Sequence, residues 1–534
     1  MDLKSRNFQI LLLIIILGIS LRLYGLGTAS IKADEGGTIF LSERSIYQII
    51  TSAEDVQPPF FYAVLHFWIA LVGKSEFMLR LLPAIFSILT IPLAYKLGKI
   101  LFNEDVGLFS AFVFSVSQAN IRFAQNLRNY SLVTFFVLLS IYFFYQYLSN
   151  PNKKYLILFV VSSVISVYSH YFAGFVLVAQ VLYLLIYYKK YRESFVKLSI
   201  AFIAIFVLLS PLATMFFWQA SIETNLEKAM FEKDSLTDIS LTALNQNNIF
   251  VRISLFFYHF SVGFLEFNLQ SPFFVAILFL AIIVYATFFF TALRSLLQQS
   301  KEKLMLLLLI LIVPTALLSV LWLSKIIVPL AYTRYLLYIS PIYYTIIGVG
   351  LFTGISQLES LKSNLLKKSV LVIFIVLILS FNSVSLLVYY DSDPKKEDWR
   401  SAVSLINSKS NGNEVIGIYS GAYTFNLKSY LLKDLEIYTL PENFNIRGAT
   451  LSKILYSSFN PINESNSCNI LNLLDESKTG IWYVHAAPTS PSDKDLIKKC
   501  LDSNLKLADS FENSYTNSRG TVIKDLLVYH YVVK

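Results

Sequence analysis

Eleven long apolar runs dominate this 534-residue chain. They lie near residues 8–26, 81–101, 106–121, 130–148, 155–170, 171–188, 195–217, 272–292, 304–323, 335–354 and 368–388. A helix rises 1.5 Å per residue, so ~20 apolar residues cross the ~30 Å hydrocarbon layer of a bilayer. Inside lipid the backbone must satisfy its own hydrogen bonds, and a run of that length does so as a helix. The expected fold is therefore a polytopic α-helical membrane protein with about eleven transmembrane helices. Hydrophobic residues make up 55% of the chain, above the ~45–50% of soluble domains. The opening MDLKSRNFQILLLIIILGISLRLYGLG has no small-residue cleavage site and reads as a retained first helix.

The net charge is +9. The basic residues fall in short linkers between apolar runs, which is how membrane proteins set orientation and not how a chain binds nucleic acid. Lys4 and Arg6, Lys153 and Lys154, Lys189 to Arg192, Arg294 to Lys303, and Lys362 to Lys368 form these linkers. With eleven crossings all of them lie on the cytoplasmic side, and the protein sits in the plasma (inner) membrane with its N-terminus inside. Two further runs, 57–73 and 249–265, would break that parity as spans. They are expected to lie flat in the outer interface. The outer side then holds the loop at 27–80, the turn at 122–129, His170, the loop at 218–271, the turn at 324–334, and everything after 390.

From residue 391 the composition changes. EVIGIYSG, LEIYTL, GIWYVHA and DLLVYHYVV read as strands. KEDWRSAVSLINSKS, RGATLSKILYSSF and PSDKDLIKKCLDS read as helices. The division expected is 1–390 as the transmembrane catalytic part and 391–534 as a soluble extracytoplasmic α/β domain. Both cysteines, Cys468 and Cys500, lie in the tail. An oxidising compartment permits their pairing, and two cysteines alone leave it open.

The outer side collects polar groups. Asp34 and Glu35 follow the first span, and Gly36 and Gly37 suit a tight turn there. Gln57 precedes Pro58 and Pro59, and His66 follows. The turn NIRFAQNLRNYSL carries Arg122, Arg128 and Tyr130, while His170 and Arg334 mark two other outer helix ends. Taken singly these are a solvated loop, headgroup anchors and belt aromatics. Glu76 and Arg80 read as a structural ion pair. Convergence of a carboxylate pair with several cations at one depth points instead to a cavity. A carboxylate can take a proton from a hydroxyl. Arginines can hold a phosphate bidentately and stabilise it as a leaving group. Glycosyl transfer from a lipid phosphate needs those parts.

Over residues 1 to about 400 the chain resembles the GT-C fold glycosyltransferases of the protein O-mannosyltransferase and family 39 type, including aminoarabinose transferases acting on lipid A. The resemblance rests on ADEGGTIF, the stretch from QPPFFYAV to LAYKLGK, VGLFSAFVFSVSQANIRFAQNLRNYSL, SHYFAG, AYTRYLLYISP and KKEDWRSAV, in that order. It implies a polyprenyl-phosphate sugar donor, a lipid, glycan or protein acceptor hydroxyl, and an inverting displacement. It implies Asp34 as the general base with Glu35 beside it. Arg128, Tyr130 and Arg334 are expected near the donor phosphate, joined by Arg122, His170, Gln57 and His66. Two positions depart from the pattern. Gln57 stands where a basic residue often precedes the Pro pair. Asn126 stands where a Glu often precedes the R-x-Y turn. The second departure leaves a divalent cation open, since only Asp34 and Glu35 offer ligands. A lipid or polysaccharide transporter, a scaffold, and an oligosaccharide transferase or ligase of the same fold are the alternatives. A transporter would show repeated halves and midplane polar groups, which the sequence lacks.

Overall fold

The computed structural model describes residues 6–51, 57–231, 249–264, 272–324, 332–357, 364–392, 397–419, 421–447, 454, 462–474, 477–486, 491–516 and 522–533. The membrane portion runs as α1 (Arg6–Leu23), α2 (Ala33–Ser42), α3 (Ile46–Thr51), α4 (Phe60–Val72), α5 (Glu76–Leu101), α6 (Glu104–Val116) and α7 (Gln118–Ala124). It continues through α8 (Tyr130–Ser149), α9 (Lys153–Ser169), α10 (Gly174–Ile186), α11 (Arg192–Phe231) and α12 (Ile249–Ser261). It closes with α13 (Pro272–Gln299), α14 (Lys301–Leu323), α15 (Tyr332–Tyr335), α16 (Ser340–Gln357) and α17 (Asn364–Ser392).

All eleven apolar runs are helical, but not all at spanning length. Among the described residues eight helices are long and apolar enough to cross a membrane. The other three runs contain α6, α9 and α10, of 13, 17 and 13 residues. Two extended residues cause the shortening. Ser117 breaks the 106–121 run and caps α7, and His170 separates α9 from a 3-10 turn (Tyr171–Ala173) that leads into α10. The 57–73 and 249–265 runs form α4 and α12, each 13 residues or ~20 Å long. The expected outer loop at 27–80 is largely helical, since α2, α3 and α4 fill it.

Lipid offers no hydrophobic drive between helices, so close packing and buried polar bonds hold them together. At Gly98 a Cβ would lie 2.7 Å from the Gly107 Cα, so this glycine pair brings α5 and α6 into backbone contact. Arg22 of α1 is fully buried. Its guanidinium donates to Ser87 Oγ (2.8 Å), Gly18 O (3.1 Å), Ser115 O (2.9 Å) and Phe114 O (3.1 Å). The last two are carbonyls at the C-terminal end of α6, which have no intrahelical partner.

The tail begins with α18 (Trp399–Lys409), then β1 (Glu414–Tyr419), α19 (Thr424–Tyr430), β2 (Glu436–Leu440), β3 (Phe444–Asn445), β4 (Gly480–Ala486), α20 (Pro491–Asn504), β5 (Lys506–Thr516) and β6 (Val522–Val532). The sheet order is β3-β2-β1-β4-β6-β5. Strand β1 pairs parallel with β2 and β4, and the β4–β6 and β6–β5 pairs are antiparallel. Alternation sends Ile416 and Ile418 to one face, against Trp399, Val403 and Ile406 of α18. Val415 and Tyr419 go to the other, against Ile497 and Leu501 of α20. Cys468 and Cys500 form a disulfide with Cα atoms 5.7 Å apart. The four strands read from sequence are present, and β3 and β5 are additional. The helix expected at 447–459 lies outside the described residues except for Arg447 and Ile454.

Candidate active site

The site is organised by α2, whose first turn holds Asp34 and Glu35. Both carboxylates sit where the helix dipole favours negative charge. Successive helical residues are turned ~100° apart, so the two side chains face different surroundings.

Glu35 faces inward and is fully buried, as is Arg80 of α5. Its oxygens accept from Arg80 Nε (2.9 Å) and Nη2 (2.6 Å), from Leu127 N–H (2.9 Å) and from Lys32 N–H (3.0 Å). Arg80 also donates to the carbonyls of Leu26 (3.3 Å), Ala29 (2.7 Å) and Ser30 (2.8 Å). One ion pair thus ties together the loop before α2, the helix α5 and the turn before α8. Burial pushes the Glu35 carboxyl up, and the Arg80 charge and hydrogen bonds outweigh it, leaving it below the ordinary carboxylate range. The Glu76–Arg80 pair expected from sequence does not form. Arg80 is taken by Glu35, and Glu76 instead receives Arg400 of the tail at 2.7 Å.

Asp34 faces outward. Its side chain is 54% accessible, yet the surrounding protein still weakens its hydration. Arg334 Nη1 lies 3.1 Å from Asp34 Oδ2. Arg128 Nη1 donates to Thr38 Oγ1 (3.0 Å), and that hydroxyl donates to the Asp34 carbonyl (2.8 Å). Burial pushes the Asp34 carboxyl up, the charges of Arg128 and Arg334 push it down, and the balance is downward. Tyr130 lies against the Arg334 guanidinium and is itself buried. The His170 ring stands 6.4 Å from the Tyr130 ring and 5.5 Å from that of Tyr335. Asp34, Arg128, Tyr130, His170 and Arg334 are therefore brought together from four segments remote in sequence.

The other expected residues are placed differently. Gln57 is buried behind the turn, where its side-chain oxygen accepts from Asn129 Nδ2 (3.2 Å) and its carbonyl from Gln219 Nε2 (3.3 Å). His66 bonds the Ser42 carbonyl at 2.8 Å, at the far end of α2 from Asp34. Arg122 rests on the Phe264 ring at 4.8 Å, Phe264 stacks on His259 at 4.2 Å, and His259 bonds Thr333 Oγ1 at 2.8 Å. Arg122 thus connects to the Arg334 turn through two rings. Gly36 and Gly37 make no turn, because both are helical. Gly36 serves a close approach instead. A Cβ there would lie 2.8 Å from Asn426 Oδ1 and 3.0 Å from Phe425 Cβ.

That approach is the tail domain docking on α2. Asn426 Nδ2 donates to Ile31 O (2.6 Å), and Tyr430 Oη accepts from Ile31 N–H (2.8 Å) and donates to Glu76 (2.9 Å). The Phe40 and Phe425 rings meet at 4.5 Å. Glu397 lies at the seam, with φ +52° and its N–H bonded to Asp525 Oδ2 at 2.8 Å. Burial pushes its carboxyl up to about 7, with Asp525 and Asp34 adding to the rise. The docking residues Asn426, Tyr430 and Phe425 carry no sequence signal, since their contacts with Ile31, Glu76 and Phe40 join positions more than 300 residues apart. Among the described residues no three His, Cys, Asp or Glu side chains come together as metal ligands. Asp34 and Glu35 do not share an ion, because the Glu35 oxygens are taken.

Residues 56–218 match the family model of dolichyl-phosphate-mannose-protein mannosyltransferases. A search by sequence among curated proteins finds no match. Among solved structures, ArnT from Cupriavidus metallidurans in the apo state is similar at TM-score 0.61 and 12% identity, with 98% of each chain covered. The same protein bound to undecaprenyl phosphate gives 0.60 and 11%, again with 98% of each chain. The archaeal oligosaccharyltransferase AglB from Archaeoglobus fulgidus, in complex with an inhibitory peptide and a dolichol-phosphate, gives 0.54 and 12%, over 98% of this chain and 74% of that one. The fold is the GT-C fold, a helical membrane portion followed by a C-terminal sheet domain. The matched family is one of glycosyltransferases, and the similar structures share its kind of membrane fold.

Proposed function

We propose that this protein transfers a sugar from a polyprenyl-phosphate-linked donor to an acceptor hydroxyl, with inversion, and that Asp34 is the general base. The observation that carries the reading is one accessible carboxylate held at 3.1 Å from Arg334, with Arg128 fixed one helical turn away through Thr38. Base and phosphate-binding cations share one place. The donor phosphate takes Arg334 from Asp34, so the arginine neutralises the phosphate while the carboxylate loses its partner and becomes more basic. Asp34 then removes the acceptor proton, and the acceptor oxygen bonds to the anomeric carbon. The bond from that carbon to the phosphate oxygen breaks with its electron pair on the phosphate, where Arg128 and Arg334 stabilise it. Tyr130 orients Arg334, and Glu35 organises the helix without touching substrate.

The basic linkers support a cytoplasmic N-terminus, and the Cys468–Cys500 disulfide supports a tail in an oxidising compartment. The test is purified protein given polyprenyl-phosphate sugars and membrane extract. Asp34→Asn is expected to abolish sugar transfer at normal protein level and insertion. A fully active Asp34→Asn enzyme removes Asp34 from the mechanism. Movement of a labelled lipid across vesicles without sugar transfer would favour a transporter.

A further inference from the structure

A cavity of about 430 Å³ lies where two spans end, α1 at Leu23 and α17 at Ser392. That volume falls within the ~300–1,000 Å³ of small-molecule sites. The cavity is lined by the loop after α1, by Arg80 and Gln125, and by Tyr389, Tyr390 and Asp391 in the last turn of α17. Asp34, Arg128 and Arg334 are not among its walls. The Tyr24 and Tyr390 rings meet edge-on at 5.0 Å, and the Tyr389 ring stands 5.3 Å from that of Tyr390.

Most hydrogen-bond donors in the lining are already spent inside the protein. Gln125 Nε2 donates to the carbonyls of Arg22 (3.0 Å) and Tyr24 (2.7 Å). The Thr28 hydroxyl donates to Gly25 O at 2.8 Å, and the Tyr390 hydroxyl to Leu21 O. Every N–H of Arg80 is held by Glu35 or by the carbonyls of Leu26, Ala29 and Ser30, and Glu35 matches its charge. Arg22 does not line the cavity, and its guanidinium is engaged by Ser87 and the α6 carbonyls. What the lining offers a ligand is acceptors and ring faces: the Asp391 carboxylate, the Gln125 amide oxygen and three tyrosines. The C-terminal ends of α1 and α17 add partial negative charge. A ligand that suits such walls is a cation that donates hydrogen bonds, and tyrosine rings favour the same charge.

The surroundings say what carries that cation. Both helices pack on α6, and they touch each other where Tyr24 and Leu21 meet Tyr390. Leading away from the cavity, Leu13 and Ile16 of α1 and Val384 and Leu387 of α17 are exposed apolar residues on spanning helices. We infer that the cavity binds the primary ammonium of an aminophospholipid headgroup of the phosphatidylethanolamine type, whose chains lie along α1 and α17. The ammonium donates to Asp391 and Gln125 and rests against the Tyr24–Tyr390 pair. This lipid is neither sugar donor nor acceptor, and its site is separate from the Asp34 centre.

The test is binding of dioleoyl lipids to the full-length protein in detergent, read by native mass spectrometry. The chains are constant, so only the headgroup varies. Phosphatidylethanolamine is expected to bind about tenfold or more tightly than phosphatidylglycerol, which has no ammonium, and than phosphatidylcholine, which has the charge and no N–H. Asp391→Asn is expected to remove that preference, and Tyr24→Leu to weaken phosphatidylethanolamine by about two- to fivefold. Tyr24 is 66% exposed, so its variant and the wild-type headgroup comparison decide the matter even where Asp391→Asn lowers yield. Equal affinity for the three lipids, or an undiminished preference in Asp391→Asn, overturns the inference. Free phosphoethanolamine binding as tightly as the lipid overturns the assignment to a lipid. None of these outcomes depends on sugar transfer, so the proposed function stands or falls separately.

Discussion

Replacing Glu35 by Gln tests whether the adjacent carboxylates have opposite roles. In the native protein both partners of the Glu35–Arg80 pair are buried, with nitrogen–oxygen distances of 2.9 and 2.6 Å. The Gln side chain removes the negative charge and turns an amide donor toward a guanidinium donor. Arg80 is left buried and uncompensated, a change that costs about 3–5 kcal/mol in comparable buried pairs. Asp34 touches Arg334 at 3.1 Å, with both side chains at least one-third exposed, and such pairs contribute about 0–1 kcal/mol. The assay is the thermal midpoint of purified protein in detergent, measured beside sugar transfer. Glu35→Gln is expected to lower the midpoint by many degrees and to cut yield, whereas Asp34→Asn leaves both near wild type and loses transfer. Adding Arg80→Met to Glu35→Gln removes the orphaned charge and is expected to recover part of the stability. Acid acts in the same direction as Glu35→Gln. The folded Glu35 carboxyl lies below its ordinary value, so its contribution is complete above an unfolded pKa of ~4.3 and fades as pH falls toward the folded value. A Glu35→Gln protein with a native midpoint and no transfer would refute the division of roles and make Glu35 catalytic.

Three further outcomes follow from the tail docking. Gly36→Ala places a methyl against the Asn426 backbone nitrogen (3.1 Å) and Phe425 Cβ, an overpacking worth about 1–3 kcal/mol. It should speed hydrogen exchange in residues 421–430 while the spans stay protected. Gly37→Ala has no atom within 4 Å of the new methyl, and in a helix it should be neutral or stabilising by about 0.5–1 kcal/mol. Glu397 gives a pH signature of opposite sign to Glu35. Its folded carboxyl is raised to about 7, so between ~4.3 and 7 the folded state keeps a proton that the unfolded chain releases, and stability falls as pH rises. Glu397→Gln should be more stable than wild type at pH 8, by up to about 3 kcal/mol, and alike at pH 4, read from thermal midpoints.

Local physics made the membrane portion legible. Span length follows from bilayer thickness, so every apolar run read from the sequence is a helix. Side assignment used only lysines and arginines, yet it grouped Asp34, Arg128, Tyr130, His170 and Arg334, which the fold brings together. What was illegible is long-range or side-specific. Arg80 stands four residues after Glu76, the spacing of a helical ion pair, and nothing local announces the stronger partner on α2. His66 is expected on the same side as Asp34 but bonds the Ser42 carbonyl at the other end of α2. Strand β5, KLADSFENSYT, is a sheet edge with one paired side, so it needs few apolar residues and lacks their alternation. Ser117 and His170 cut two spans short because a polar side chain there caps the next turn.

The stretch DEGGT is a helix read from several sides. At ~100° per residue, consecutive positions address different bodies. Asp34 faces the arginines of the turns before α8 and at α15. Glu35 faces Arg80 and the loop before the helix. Gly36 faces the tail domain, and Thr38, one turn after Asp34, returns to the site to hold Arg128. Removing any one of these contacts changes the setting of the helix that aims Asp34. Gly36→Ala is therefore expected to alter transfer as well as docking, because Gly36, on which α19 packs, and Asp34 lie on the same turn of α2. Arg400→Ala loosens the docking from the other side by leaving Glu76 with Tyr430 as its tail partner, without touching α2. If Gly36→Ala slows transfer and Arg400→Ala does not, the effect runs through α2 itself. If both slow it equally, the tail acts by its attachment, and the glycine matters only as the place where the attachment is made.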